Sequence, residues 1–204
     1  MLRASLRLLE RDAGPVLEDY PHDAPSSEAA SEAASDATSE EAEGWACAVA
    51  LPAPAPPGSE PEAMRQALLN EVSLLHPWYD EAKRARGRSA VGLSGLDVDD
   101  IAGFLASFAA GESPPPPDGA AEELPLLIRF LSDDLKAFYM EAATAQPGRA
   151  FPTSDEINGW LFHETAFGDV LYRVRDRLAA SEDGREKAVA GGVIPFLYAQ
   201  RPER

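Results

Sequence analysis

INGWLFHETAFGDVLYRVRDRL, residues 157–178, is the stretch whose reading decides the fold class. Trp160, Phe167, Leu171, Val174 and Leu178 recur at the period of an amphipathic α-helix, and no apolar–polar alternation competes with it. Thr153 followed three residues later by Glu156 is a capping-box pattern. A single helix is therefore predicted from Thr153 to about Ala180. Glu164 falls in the middle of its apolar stripe. An ionised carboxylate in an apolar setting must find partners, take up a proton or sit at an opening, because leaving it uncompensated costs several kcal/mol. That places Glu164 first among the candidates for chemistry.

The same period extends outward in both directions. Met64, Leu68, Val72 and Leu75 mark an earlier helix that Pro77 ends, with Trp78, Tyr79, Ala82 and Ala85 continuing on a second, short one. Asp97 is the expected N-cap of a helix buried through Ile101, Phe104, Leu105 and Phe108, which Gly111 stops. After Pro114–Pro117, the residues Leu124, Leu127, Ile128, Leu131, Leu135, Phe138 and Ala142 give a longer helix with a broad apolar face. A short helix is expected at about 186–190, before Gly191 and Gly192. Pro195 keeps the apolar segment Val193 to Tyr198 from being an interior strand. The expected architecture is all-α, a single bundle of about five helices over residues 61–204.

Ahead of it the composition changes. From Glu18 to Glu43 there are nine acidic residues and no basic ones, set among Ser, Ala, Thr and Pro. Such a stretch buries too little surface to offset chain entropy, and with the Pro-rich run Leu51–Pro57 it is read as a disordered linker over 18–60. Residues 1–17 are a short separate segment. Trp45, Cys47, Val49 and Leu51 are the linker residues with the apolar surface to dock on the bundle.

Charge and cysteine content restrict the function classes. The 204 residues carry a formal charge of −17, which opposes a phosphate backbone and an anionic membrane surface, so neither nucleic acid nor membrane is an expected partner. Lys83–Arg88, with four basic residues, is the exception. It reads as a solvated loop, as a clamp for an acidic ligand, or as a patch on which the chain's own acidic tail folds back. Cys47 is the only cysteine, so there is no internal disulfide and no cysteine ligand set for zinc or iron–sulfur. Leu2, Leu8 and Leu9 are interrupted by charges, unlike a signal-peptide core, and a cytoplasmic location is expected.

Catalytic motifs are incomplete. There is no Glu-x-x-His for a di-iron bundle, and His163-Glu164 is not followed by the second histidine of a zincin. Gly92-Leu-Ser-Gly95 is not a nucleophile elbow, and no phosphate-binding glycine loop occurs. Two functional readings follow. One is a cytoplasmic accessory or interaction protein, assembly-factor or chaperone-like, that binds a segment of a partner protein. Its size, charge and helicity are similar to those of small acidic assembly chaperones of redox enzymes, a likeness of class without their signature motifs. The other is an enzyme or ligand-binding protein. In it Glu164, His163 and Asp134 act as acid/base or metal groups beside a pocket of Trp160, Phe138, Tyr139 and Glu141. Asp134 and Glu141, seven residues apart, share a helix face. The competing structural reading has Glu164 bonded to a neighbouring Tyr, Trp, Arg or helix end, Asp134 and Glu141 on the solvated edge of an amphipathic face, and His163 and His76 packed or at the surface. Neither a cofactor nor a particular metal is specified by these residues.

Overall fold

The computed structural model describes residues 6–11, 14, 19, 47, 51, 60–145 and 152–201. Contacts divide the chain into residues 1–42 and residues 43–204. Among the described residues the second unit carries six α-helices: α1 (Pro61–Arg86), α2 (Val98–Ala109), α3 (Leu124–Ala143), α4 (Ser154–His163), α5 (Ala166–Ala180) and α6 (Gly184–Val193). A 3-10 turn at Phe196–Tyr198 follows. Among the described residues there is no strand, and no helix is long and apolar enough to cross a membrane. The acidic run, the proline run and Trp45 lie outside the described residues, whereas Cys47 and Leu51 pack against the core.

Local chemistry sets most of the boundaries. The Asp97 carboxylate accepts from Asp99 N at 3.0 Å to start α2. Thr153 and Glu156 complete the capping box of α4, with Thr153 N donating to Glu156 Oε2 at 2.7 Å. Arg177 on α5 donates to the Phe108 carbonyl at 2.6 Å and stacks its guanidinium over the Phe108 ring, closing the C-terminal end of α2.

α1 and α3 form the central pair. α2 leans on both and on α5, α4 bridges α3 and α5, and α6 closes across α3 and α5. Phe138, Tyr139, Phe162, Phe167 and Tyr172 are among the largest fully buried side chains. Their rings pack edge-on or tilted, as in Tyr139–Phe167 at 4.9 Å and Phe138–Tyr139 at 5.8 Å.

Three expectations about helix ends are corrected. Pro77 does not end α1, which runs 26 residues through it. Pro77 and Ser73 both face solvent, so water can satisfy the carbonyl that the proline leaves without a donor, while Val72, Leu75, Tyr79 and Ala82 keep one buried face. The short final helix does not stop at the glycines. α6 includes Gly191 and Gly192, and the Gly192 carbonyl accepts from Arg129 Nη1 at 2.7 Å.

The third correction matters most. The single helix expected from Thr153 to Ala180 is two helices that break at Glu164 and Thr165. Thr165 is extended (φ −102°, ψ 154°), its hydroxyl donates to Leu161 O at 2.6 Å, and its oxygen accepts from Gly168 N at 2.9 Å. At the corner the chain doubles so closely that a Cβ on Gly168 would lie 2.5 Å from the Phe162 carbonyl oxygen. One expected helix is thus divided, the two expected around Pro77 are joined, and the described residues of the second unit carry six α-helices where about five were expected.

G168A is expected to destabilise the protein by about 1–3 kcal/mol or more, because the obstructing atoms are backbone. G191A, in an exposed helical position with nothing near its Cβ, is expected to stabilise it by roughly 0.5–1 kcal/mol. Chemical denaturation of the two variants checks both signs.

Candidate functional site

Among the described residues the most deeply buried carboxylate is Glu71. It lies in register with Met64, Leu68 and Leu75 on the buried face of α1 and is 0% exposed. Its Oε1 accepts from Ala166 N at 2.7 Å, and its Oε2 accepts from Phe167 N at 3.2 Å and Tyr139 OH at 2.8 Å. Those two amides open α5. Amides in a first helical turn have no partner within their own helix, and the helix dipole there favours negative charge. Glu71 therefore caps α5 from across the bundle, beside the local cap of Thr165.

Burial pushes the Glu71 carboxyl up to about 7, against the pull of its three donors, with Asp169 adding a smaller upward push. Tyr139 is held well above its ordinary range, first by burial and then by the Glu71 charge it bonds. Lys136 is lowered by burial, although Asp133 pulls it back up.

Asp134, expected as a catalytic group, is buried and holds a loop. It accepts from Gly92 N at 2.9 Å, Leu93 N at 2.8 Å, Ser94 N at 2.8 Å and Ser94 Oγ at 2.6 Å. Glu141, one face-repeat along α3, accepts from Ser89 Oγ at 2.8 Å and Ala90 N at 2.7 Å. The shared face predicted for the two carboxylates is present. What it carries is the connection between α1 and α2.

Glu164 is exposed at the C-terminal cap of α4. Its expected place inside an apolar stripe required the continuous helix that Thr165 interrupts. His163 is half-buried with its ring 5.7 Å from that of Tyr198. His76 packs edge-on against Phe138 at 5.1 Å, with Nε2 3.5 Å from the Asp99 carboxylate.

Trp160, Phe138 and Tyr139 do come together, Trp160 lying 6.1 Å from Tyr139, but as mutually packed core side chains. The oxygens of Asp134 and Glu141 are directed to residues 89–94. Among the described residues no group of three or more His, Cys, Asp and Glu side chains is placed to hold a metal ion.

A second feature lies at the C-terminal turn. Tyr198 stacks on Phe162 at 5.4 Å and its hydroxyl donates to Asp155 at 3.2 Å. The carbonyls of Tyr198 and Gln200 accept from Tyr172 OH at 2.6 and 3.2 Å, and Arg201 pairs with Asp169 at 2.9 Å. On this fixed turn Phe196 and Leu197 project outward, 92% and 83% exposed.

No family model, no curated protein and no solved structure matches the chain.

Because the folded Glu71 value lies above the ordinary 4.5, its contribution to stability is complete below about pH 4.5 and is lost as pH rises through about 7. At about 1.4 kcal/mol per unit the loss is about 3 kcal/mol. The stability difference between the native protein and E71Q, measured by urea denaturation from pH 4 to 8, is expected to shrink in that direction; a difference independent of pH contradicts it. D134A is expected to leave three loop amides without their acceptor, costing about 3 kcal/mol. It should open the 89–94 segment to limited proteolysis, whereas native protein resists.

Proposed function

We propose that this chain is a helical accessory or interaction protein that binds a segment of a partner protein. The observation that carries the reading is the pinned turn presenting Phe196 and Leu197. Isolated exposed apolar side chains are common on protein surfaces. Two adjacent large ones on a turn whose backbone and neighbouring tyrosine are tied down are different, because their presentation no longer costs chain entropy when something covers them. Burying both in a partner contributes roughly 1.5–3 kcal/mol each.

The polar residues fit the same reading. Glu71, Asp134 and Glu141 spend their oxygens on backbone amides, hydroxyls and helix ends. On the C-terminal turn, what faces outward is apolar. The matching partner segment is one whose apolar side chains cover the Phe-Leu pair.

The test compares native protein with F196S/L197S, a change expected to leave stability within about 0.5 kcal/mol because both side chains project into solvent. A partner identified by affinity purification from the native host and then purified should bind the native protein about a hundredfold more tightly than the variant. Equal affinities contradict the reading. So does a stability loss of several kcal/mol in the variant, which would make the pair part of the fold.

A further inference from the structure

The chain from Arg86 to Ser94 runs along α3 as a ribbon. Arg86 donates to Thr144 Oγ1 at 2.8 Å, Ser89 and Ala90 are held by Glu141, and Gly92, Leu93 and Ser94 by Asp134. Ser89 is further shared with Tyr79 OH at 3.0 Å and Val91 N at 3.0 Å. From Thr144 to Asp134 the ribbon covers about 15 Å of α3 at about 1.5 Å per residue. A connection between two helices does not require two inward-facing carboxylates for its closure.

The start of this ribbon and the last turn of α1 before it are the positive exception in a chain of charge −17. Lys83, Arg84, Arg86 and Arg88 are all exposed, and no acidic residue occurs from Ala82 to Leu96. Arg84 pairs with the half-buried Glu81, and Lys83 lies 5.4 Å over the Tyr79 ring. Asp134 and Glu141 on α3 are turned onto the ribbon's donors, whereas Asp80 and Glu81 on α1 offset part of the positive charge. The C-terminal end of α1 is equivalent to about half a negative charge, which accounts for a fraction of four cations. At the far end of the ribbon Leu93 is 54% exposed.

We propose that this ribbon docks a short acidic segment of a partner protein, with carboxylates on Lys83, Arg84, Arg86 and Arg88 and an apolar side chain on Leu93. About 15 Å corresponds to about five residues of extended chain, which sets the spacing between the acidic and apolar parts of the ligand. The rigid ribbon supplies the orientation, and the side chains supply the charge. An acidic peptide fits better than a nucleic acid, because the strip matches only a few charges while the rest of the chain repels a long polyanion. This surface is separate from the Phe196–Leu197 turn, so the failure of one reading leaves the other standing.

The test is fluorescence anisotropy of a labelled peptide carrying consecutive glutamates and, about five residues on, a leucine, titrated with the full chain. K83Q/R84Q/R86Q/R88Q is expected to weaken binding by about tenfold or more, and raising salt from about 50 to about 200 mM should weaken the native complex similarly. L93S, or serine for the peptide leucine, should each cost about threefold. Thermal denaturation establishes that the variants are folded. If the quadruple variant is not, R88E alone should still weaken binding about threefold. No binding at millimolar protein, or equal affinity in the charge variants, overturns the proposal. A single-stranded oligonucleotide of equal charge binding more tightly than the peptide overturns it in favour of nucleic acid. Binding that appears only after the acidic residues of 18–43 are replaced by their amides overturns it in favour of this chain's own segment.

Discussion

One carboxylate from α1 holds the first turn of α5. The corner between α4 and α5 turns within two residues, leaving the Ala166 and Phe167 amides inside the bundle, where no water reaches them and their own helix offers no acceptor. Glu71 supplies that acceptor, and Tyr139 from α3 fixes the carboxylate's other side. Three helices are thereby joined at a single group. An unsatisfied buried amide costs about 1–3 kcal/mol, so two of them together approach a large part of the stability of an ordinary domain. The aromatic packing of Tyr139, Phe167 and Trp160 is arranged around this junction.

The carboxylates of α3 follow the same logic with a different target. Asp134 and Glu141 turn toward a loop and immobilise it, and in doing so they leave cations and Leu93 on its outer side. Polar groups of the bundle thus act as scaffolding. The C-terminal turn repeats the pattern, with Tyr172, Asp155 and Asp169 holding a segment from which Phe196 and Leu197 project. Interior order and exterior presentation are two consequences of the same hydrogen bonds.

Much of the fold is legible in the residues because it depends on local chemistry. Asp97 and the Thr153–Glu156 pair act through atoms within three residues, and the buried faces of α2 and α3 follow from period alone. The rule that a carboxylate within an apolar stripe needs partners is also sound, but it belongs to Glu71 rather than Glu164. Glu71 sits at the position between Leu68 and Leu75 that completes the stripe of α1, a signal present in the sequence. Assigning it requires knowing that α5 begins nearby, which is a tertiary fact. The division at Thr165 was masked because the apolar spacing of Trp160, Phe167 and Leu171 continues across it. Gly168 beside a threonine with cap chemistry is the local sign that competes with that spacing. Pro77 misled for the opposite reason, since a local rule was relaxed by its exposure. The shared face of Asp134 and Glu141 was legible, whereas the loop that they hold lies about forty to fifty residues earlier in the chain.

The role of Glu71 is tested most directly by hydrogen exchange at the amides it accepts from. Amides in a first helical turn ordinarily exchange freely for want of a partner. Those of Ala166 and Phe167 should instead exchange as slowly as the amides of Leu131 and Leu135 in the middle of α3. Exchange at the rate of the Asp155 amide, in the first turn of α4, would contradict the account.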